Sequence, residues 1–145
     1  VYSDLIVEPY HFERWDEIAR TLEDAKQRAE FLQRAKIYTE YFNKLAELCV
    51  AGAKKVMFED RECAFANSHP AMPMKSRVGH ELAFSVAPVA LVVSAHPDGF
   101  GVSIRGNGTV DVSAIARKYG GDGHHDSAGF FISASGPLPW TEIKS

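Results

Sequence analysis

From position 12 the apolar residues of this chain fall at helical spacing. Phe12, Trp15, Ile18, Ala19 and Leu22 recur every three or four positions, which predicts a first helix after Pro9. Phe31, Ala35, Tyr38, Phe42, Leu45 and Cys49 then step by four, three, four, three and four, one apolar stripe on a long second helix. Thr21 and Asp24 are its candidate caps and Gly52 is placed to end it. At ~1.5 Å per residue the span from Asp24 to Ala51 is about 40 Å long, enough to cross a domain or to connect two. Core packing is the simplest use of the stripe. A partner-binding seam, including a homodimer through the long helix, is the alternative.

After Lys54 the pattern becomes mixed. Val56 to Glu59 and Cys63 to Ala66 read as short strands, and Ser76 is a candidate cap for a helix through Val78, Leu82 and Ala83. Val89 to Ala95 has the Val and Leu content of a buried strand. His96-Pro97-Asp98-Gly99 is turn chemistry: proline presets φ, and glycine takes the left-handed position. On the return strand Phe100, Val102 and Ile104 face one way, Ser103 and Arg105 the other. Val112, Ile115, Ala116 and Tyr119 form a short amphipathic helix that Gly120 ends, and Ala128 to Ser133 is the last strand. The fold class is α/β: an N-terminal helical linker region (1–53) with its long helix, followed by a mixed β-sheet flanked by helices (54–145).

Composition narrows the function classes. At 145 residues, 46% apolar and 24% charged, the chain has the size and make-up of one globular domain. A net charge of −3 excludes a general basic face for nucleic acid, so any nucleotide site must be local. The longest apolar stretch, Val86 to Ala95, contains Pro88 and Ser94 and is too short to span a bilayer. Cys49 and Cys63 have no metal-site spacing and make no disulfide framework; they read as thiols of a reducing, cytoplasmic compartment. No secretory leader opens the chain, and Val1 in place of Met leads us to expect a piece of something longer.

The chemistry concentrates in Gly120 to Phe130, GGDGHHDSAGF. Gly120, Gly121 and Gly123 admit positive φ and close approach of a ligand, and consecutive N–H groups in such a loop can converge on an anion. His124 adds a donor that can carry charge. Unlike a phosphate loop, this one follows a helix C-terminus, whose partial charge is negative. Holding a phosphate would therefore fall to loop N–H groups, His124 and nearby cations. A glycine-rich loop with one histidine is also, and more often, only a turn.

The order VSIRG, VDVSAIARKYGG and GHHDSAGF resembles the S-x-R, V-D-V-S-x-I-A and G-G-G-H-x-x-A-A-G-F pattern of the DHH-associated domain that follows the catalytic domain in DHH phosphoesterases. That group includes oligoribonucleases and RecJ-type exonucleases. Upstream, NSHPAMPMKSRVGHELA resembles the family's strand-end Asn and S-x-V-G helix, and PYHFERW its linker start. The resemblance implies that Arg105, with Ser103 beside it, binds substrate phosphate. It implies that Gly121, Gly123 and His124 hold nucleotide phosphate or sugar, and that Asn67 lies near the cleft. Two departures stand out: Asp122 replaces a Gly and Ser127 replaces the first Ala. A carboxylate in a phosphate loop repels an anion unless it points away or pairs with Arg105.

No D-H-H triplet occurs, and His124-His125-Asp126 runs in the reverse order in another motif. The family's two-metal site (Mn or Mg) belongs to a separate N-terminal domain, so no catalytic residue, metal ligand or cofactor is expected here. The partners implied are a short oligonucleotide, nucleotide or cyclic dinucleotide and an upstream DHH domain, with no membrane. Two other readings compete: a non-catalytic nucleic-acid-binding module like the related alanyl-tRNA synthetase domain, and a structural or dimerisation domain.

Overall fold

The computed structural model describes residues 12–69 and 72–143. Val1 and the PYH of the linker-like PYHFERW lie outside them. The chain divides into two compact units, residues 1–45 and 46–145, with the boundary inside the second helix.

The first unit holds helix α1 (Phe12–Glu23) and most of helix α2 (Ala25–Ala51). Asp24 separates them and caps α2, its carboxylate accepting from the Gln27 N–H at 2.8 Å. Thr21 is no cap; its hydroxyl donates to the Glu17 carbonyl inside α1. Ile18 and Phe31 are buried, whereas Tyr38 and Leu45 are exposed, so the apolar stripe of α2 is not one continuous core seam. The helix ends as expected before Gly52, whose N–H donates to the Leu48 carbonyl.

The second unit is a seven-stranded sheet of strands β1 (Lys54–Phe58), β2 (Arg61–Asn67), β3 (Val89–His96), β4 (Gly99–Gly106), β5 (Asp122–His124), β6 (Ser127–Ser133) and β7 (Trp140–Glu142). Their order across the sheet is β5-β6-β4-β3-β2-β1-β7. Only the β2–β3 pair is parallel, and helix α3 (Met72–Ser85) makes that crossover. β1 and β2 are joined by a two-residue turn in which Glu59 (φ +51°) and Asp60 (φ +56°) are both left-handed. That backbone matches the right-handed twist of the strands. At the β3–β4 turn Gly99 has φ +156° rather than the left-handed helical value. A Cβ there would lie 2.0 Å from the Ile132 carbonyl oxygen, so close approach of backbones is what demands glycine.

The two faces of the sheet differ. One carries Val56, Phe58, Cys63, Leu91, Val93, Val102, Ile104, Phe130 and Ile132, closed by Val112, Ile115 and Ala116 of helix α4 (Val112–Lys118). The Tyr119 ring stacks on Phe130 with centroids 4.7 Å apart and leans on Phe58 at 5.5 Å. Tyr119 and Lys118 both reach Glu59, tying α4 to the β1–β2 turn. The V-D-V-S motif turns out to be a helix start: the Asp111 carboxylate accepts from the N–H groups of Ser113 (3.0 Å) and Ala114 (3.2 Å).

On the other face α3 packs mainly over β3 and β4 and also meets β2. Val78 and Leu82 are fully buried beneath it. On this face Asp122 and His124 of β5 and Phe131 of β6 are exposed, and the step from helix to sheet forms a cleft.

Candidate functional site

The cleft is about 550 Å³, within the range of small-molecule sites. Strand register decides what lines it. Arg105 pairs with Ser127, which pairs with His124; Ser103 pairs with Gly129, which pairs with Asp122; Gly101 pairs with Phe131. Side chains alternate along a strand and align across it, so these three rows share one face. Lys75 of α3 adds a cation at the wall, and Ser103, Arg105, Asp122, Ser127 and Phe131 all line the cleft.

Arg105 is half-buried at the foot of α3. Its Nη2 donates to the Ser76 hydroxyl at 2.8 Å and its Nη1 to the Ile104 carbonyl at 3.2 Å. Burial pushes its pKa below the usual arginine value, and a guanidinium still keeps its proton. Among the described residues no carboxylate lies within ion-pair reach of Arg105 or Lys75. A half-buried cation without an anion is costly, a cost that a bound anion would offset.

Three residues around Arg105 were not singled out for the cleft by the sequence reading. Ser76 is not a helix cap; it sits inside α3, which begins at Met72, and its hydroxyl receives the Arg105 guanidinium. Gly79 leaves the space in which the arginine stem lies, since a Cβ there would be 2.6 Å from Arg105 Cγ. Lys75 lies on the same helix. The signal was present in the S-x-V-G of Ser76 to Gly79: a hydroxyl and a gap one turn apart on one helix face.

The glycine-rich stretch behaves differently from the loop expected. Asp122–His124 is an edge strand paired with β6. The N–H of Gly120 donates to the Arg117 carbonyl and that of Gly121 to the Ala116 carbonyl, so both finish α4 and neither can hold an anion. Gly121 and Gly123 are required by packing: an added Cβ would lie 2.0 Å from the Gly129 oxygen or 2.4 Å from the Ala128 Cα. His124 is exposed on the cleft face in the row of Arg105, at the sheet edge and beyond the lining residues. Asn67 ends β2 opposite Val93, on the face away from Arg105, and is not brought to the cleft.

Asp122 does face the cleft, and no ion pair engages it among the described residues. The site thus balances two cations against one carboxylate. His125 and Asp126 form the exposed tip between β5 and β6 and pair with each other at 2.7 Å, an interaction that raises the His125 pKa. Among the described residues no three His, Cys, Asp or Glu side chains are placed to hold a metal ion. The described residues do not supply the ligand set of a two-metal centre.

Solved structures resemble the chain. PggH from Vibrio cholerae, a pGpG-specific phosphodiesterase, matches at TM-score 0.50 and 11% identity, over 82% of this chain and 40% of that one. The fold is shared with a phosphodiesterase. An uncharacterised protein from Helicobacter pylori G27 matches at TM-score 0.46 and 21% identity, over 66% of this chain and 26% of the other. A DHH-domain member of the s1p family of ribosomal proteins matches at TM-score 0.43 and 12% identity, over 65% and 27%. No family model matches, and no curated protein does. The chain spans less than half the length of each of these structures. At such identities the likeness is one of fold alone. No helix among the described residues is long and apolar enough to cross a membrane.

Proposed function

We propose that this chain is the substrate-binding domain of a DHH-family phosphoesterase and that its cleft holds a phosphate of a short nucleotide. The observation that carries the proposal is Arg105: a half-buried guanidinium, steadied by Ser76, without a carboxylate partner among the described residues, on the floor of a cleft that also offers Lys75. The guanidinium has five N–H donors in a rigid fork, and two of them are engaged by Ser76 and Ile104. The rest are free to meet phosphate oxygens, a planar fit that an ammonium cannot reproduce. Ser103 and Ser127 flank it with hydroxyls.

In this reading the hydrolytic metals, Mn or Mg, are held by an upstream domain, and this chain contributes binding and orientation. The fold it shares with a pGpG-specific phosphodiesterase supports the substrate class. The test compares the product of the natural reading frame with the 145-residue chain, on a 5′-phosphorylated dinucleotide with Mn²⁺. Turnover by the former and none by the latter is expected. Robust turnover by the chain alone, or a natural frame without D-H-H and Asp-rich motifs, contradicts the proposal.

A further inference from the structure

Phe131 is a large apolar side chain on the cleft face, which it shares with Lys75, Ser103, Arg105, Asp122 and Ser127. It is 50% exposed. A lone exposed aromatic is ordinary on a protein surface, but this one stands in the row next to Gly101, so no neighbouring side chain covers its ring from β4. The His96 ring packs against it edge-on, with centroids 6.1 Å apart and planes at 70°. Gly101 also preserves His96: a Cβ at that position would lie 2.9 Å from His96 Nε2. A half-exposed aromatic ring, braced by a second ring and paired across the sheet with a glycine, has the form of a stacking platform.

The platform and the phosphate clamp occupy opposite ends of the same cleft. The Arg105–Ser127 row and the Gly101–Phe131 row are four residues apart along β4 and β6, about 14 Å at ~3.4 Å per residue. A free phosphate or a sugar phosphate cannot bridge that separation. We propose, building on the function proposed above, that Phe131 stacks a nucleobase while Arg105 holds a phosphate. The ligand of this cleft is therefore a strand of at least two nucleotides lying along β4 and β6. Stacking accepts every base, because every base has a π-face, so this subsite confers length and nucleic-acid character rather than base choice.

Calorimetric titration of the 145-residue chain with pApA, and with an abasic sugar-phosphate dimer carrying the same charges, tests this. Phe131→Ala is expected to weaken pApA binding roughly fivefold to a hundredfold, the range for loss of one base–aromatic stack. It should leave the abasic dimer unaffected. Phe131→Trp should preserve pApA binding; Phe131→Leu, which keeps apolar bulk but not the ring, should not. Unchanged pApA affinity in Phe131→Ala, or equal losses for both ligands, overturns the platform. Arg105→Met separates the two proposals. If it weakens both ligands while Phe131→Ala weakens neither, the clamp stands and the platform falls; if only Phe131→Ala weakens pApA, the clamp falls and the platform stands. A parent chain that binds pApA no more tightly than the abasic dimer also overturns the platform.

Discussion

Substituting Arg105 separates what the residue does for binding from what it does for the fold. Its stem lies under α3 over Gly79, and its head is tied to Ser76 and Ile104. Arg105→Met keeps most of the stem and removes the fork. A charge-assisted hydrogen bond is worth ~1.5–3 kcal/mol, so nucleotide affinity should fall by roughly tenfold to over a hundredfold at ~1.4 kcal/mol per tenfold. Arg105→Ala should lose the same affinity and in addition about 1 kcal/mol of stability from the vacated packing. Arg105→Lys keeps the charge without the planar fork and should fall between Met and the parent. Gly79→Ala reaches the same residue from α3, because the new Cβ would sit 2.6 Å from Arg105 Cγ and force the stem aside. Titration calorimetry reads the affinities and urea unfolding followed by circular dichroism reads the stabilities. The reasoning is refuted if Arg105→Met binds a phosphorylated dinucleotide as well as the parent does.

Asp122 faces the same anion, so Asp122→Asn should strengthen binding by up to about fivefold at low salt, from ~0.2–1 kcal/mol for an exposed charge pair; an unchanged affinity would mean that its carboxylate swings out to solvent. Gly120 has φ +74° with open space around its Cα, so Gly120→Ala should cost about 1–2 kcal/mol in urea unfolding through backbone strain alone, and a neutral result would show that the α4 terminus relaxes freely. Glu59 accepts from Lys118 and from the Tyr119 hydroxyl at 2.6 Å, and those bonds hold its carboxyl below the usual 4.5. A carboxyl whose pKa is depressed in the folded state contributes stability above its unfolded value and loses it as pH falls through the folded one. Glu59→Gln should therefore flatten the loss of stability below about pH 4.5, which melting curves across that range would check.

The sequence disclosed most of this architecture because binary pattern and turn chemistry agreed with each other. The β3–β4 hairpin followed from Val and Leu content and His96-Pro97-Asp98-Gly99, and the alternation of Phe100 to Arg105 placed Ser103 and Arg105 on the cleft face. What stayed hidden depends on distance in space. β5 is Asp122-Gly123-His124, three residues of low strand propensity; its pairing with β6 makes it a strand. β7 is likewise only Trp140–Glu142, held by β1 from the far end of the chain. Ser76 looked like a cap because capping and guanidinium binding call for the same hydroxyl, and only the sheet beneath α3 tells them apart. The glycines of the GGDGH stretch looked like an anion loop because positive φ and tight packing select the same residue. The N–H groups of Gly120 and Gly121 finish α4 on Arg117 and Ala116, and close contacts with Gly129 and Ala128 assign Gly121 and Gly123 to packing.

The central claim is that a nucleotide phosphate seats between α3 and the β4–β6 face. Backbone and side-chain NMR shifts of the chain, followed while a 5′-phosphorylated dinucleotide is added, test it most directly. The account predicts saturable shifts at Lys75, Ser76, Ser103, Arg105, Ser127 and Gly129, with Gly120 and Gly121 unmoved. Saturable shifts centred on Gly120, Gly121 and the His125–Asp126 tip, with the Arg105 side chain unperturbed, would contradict it.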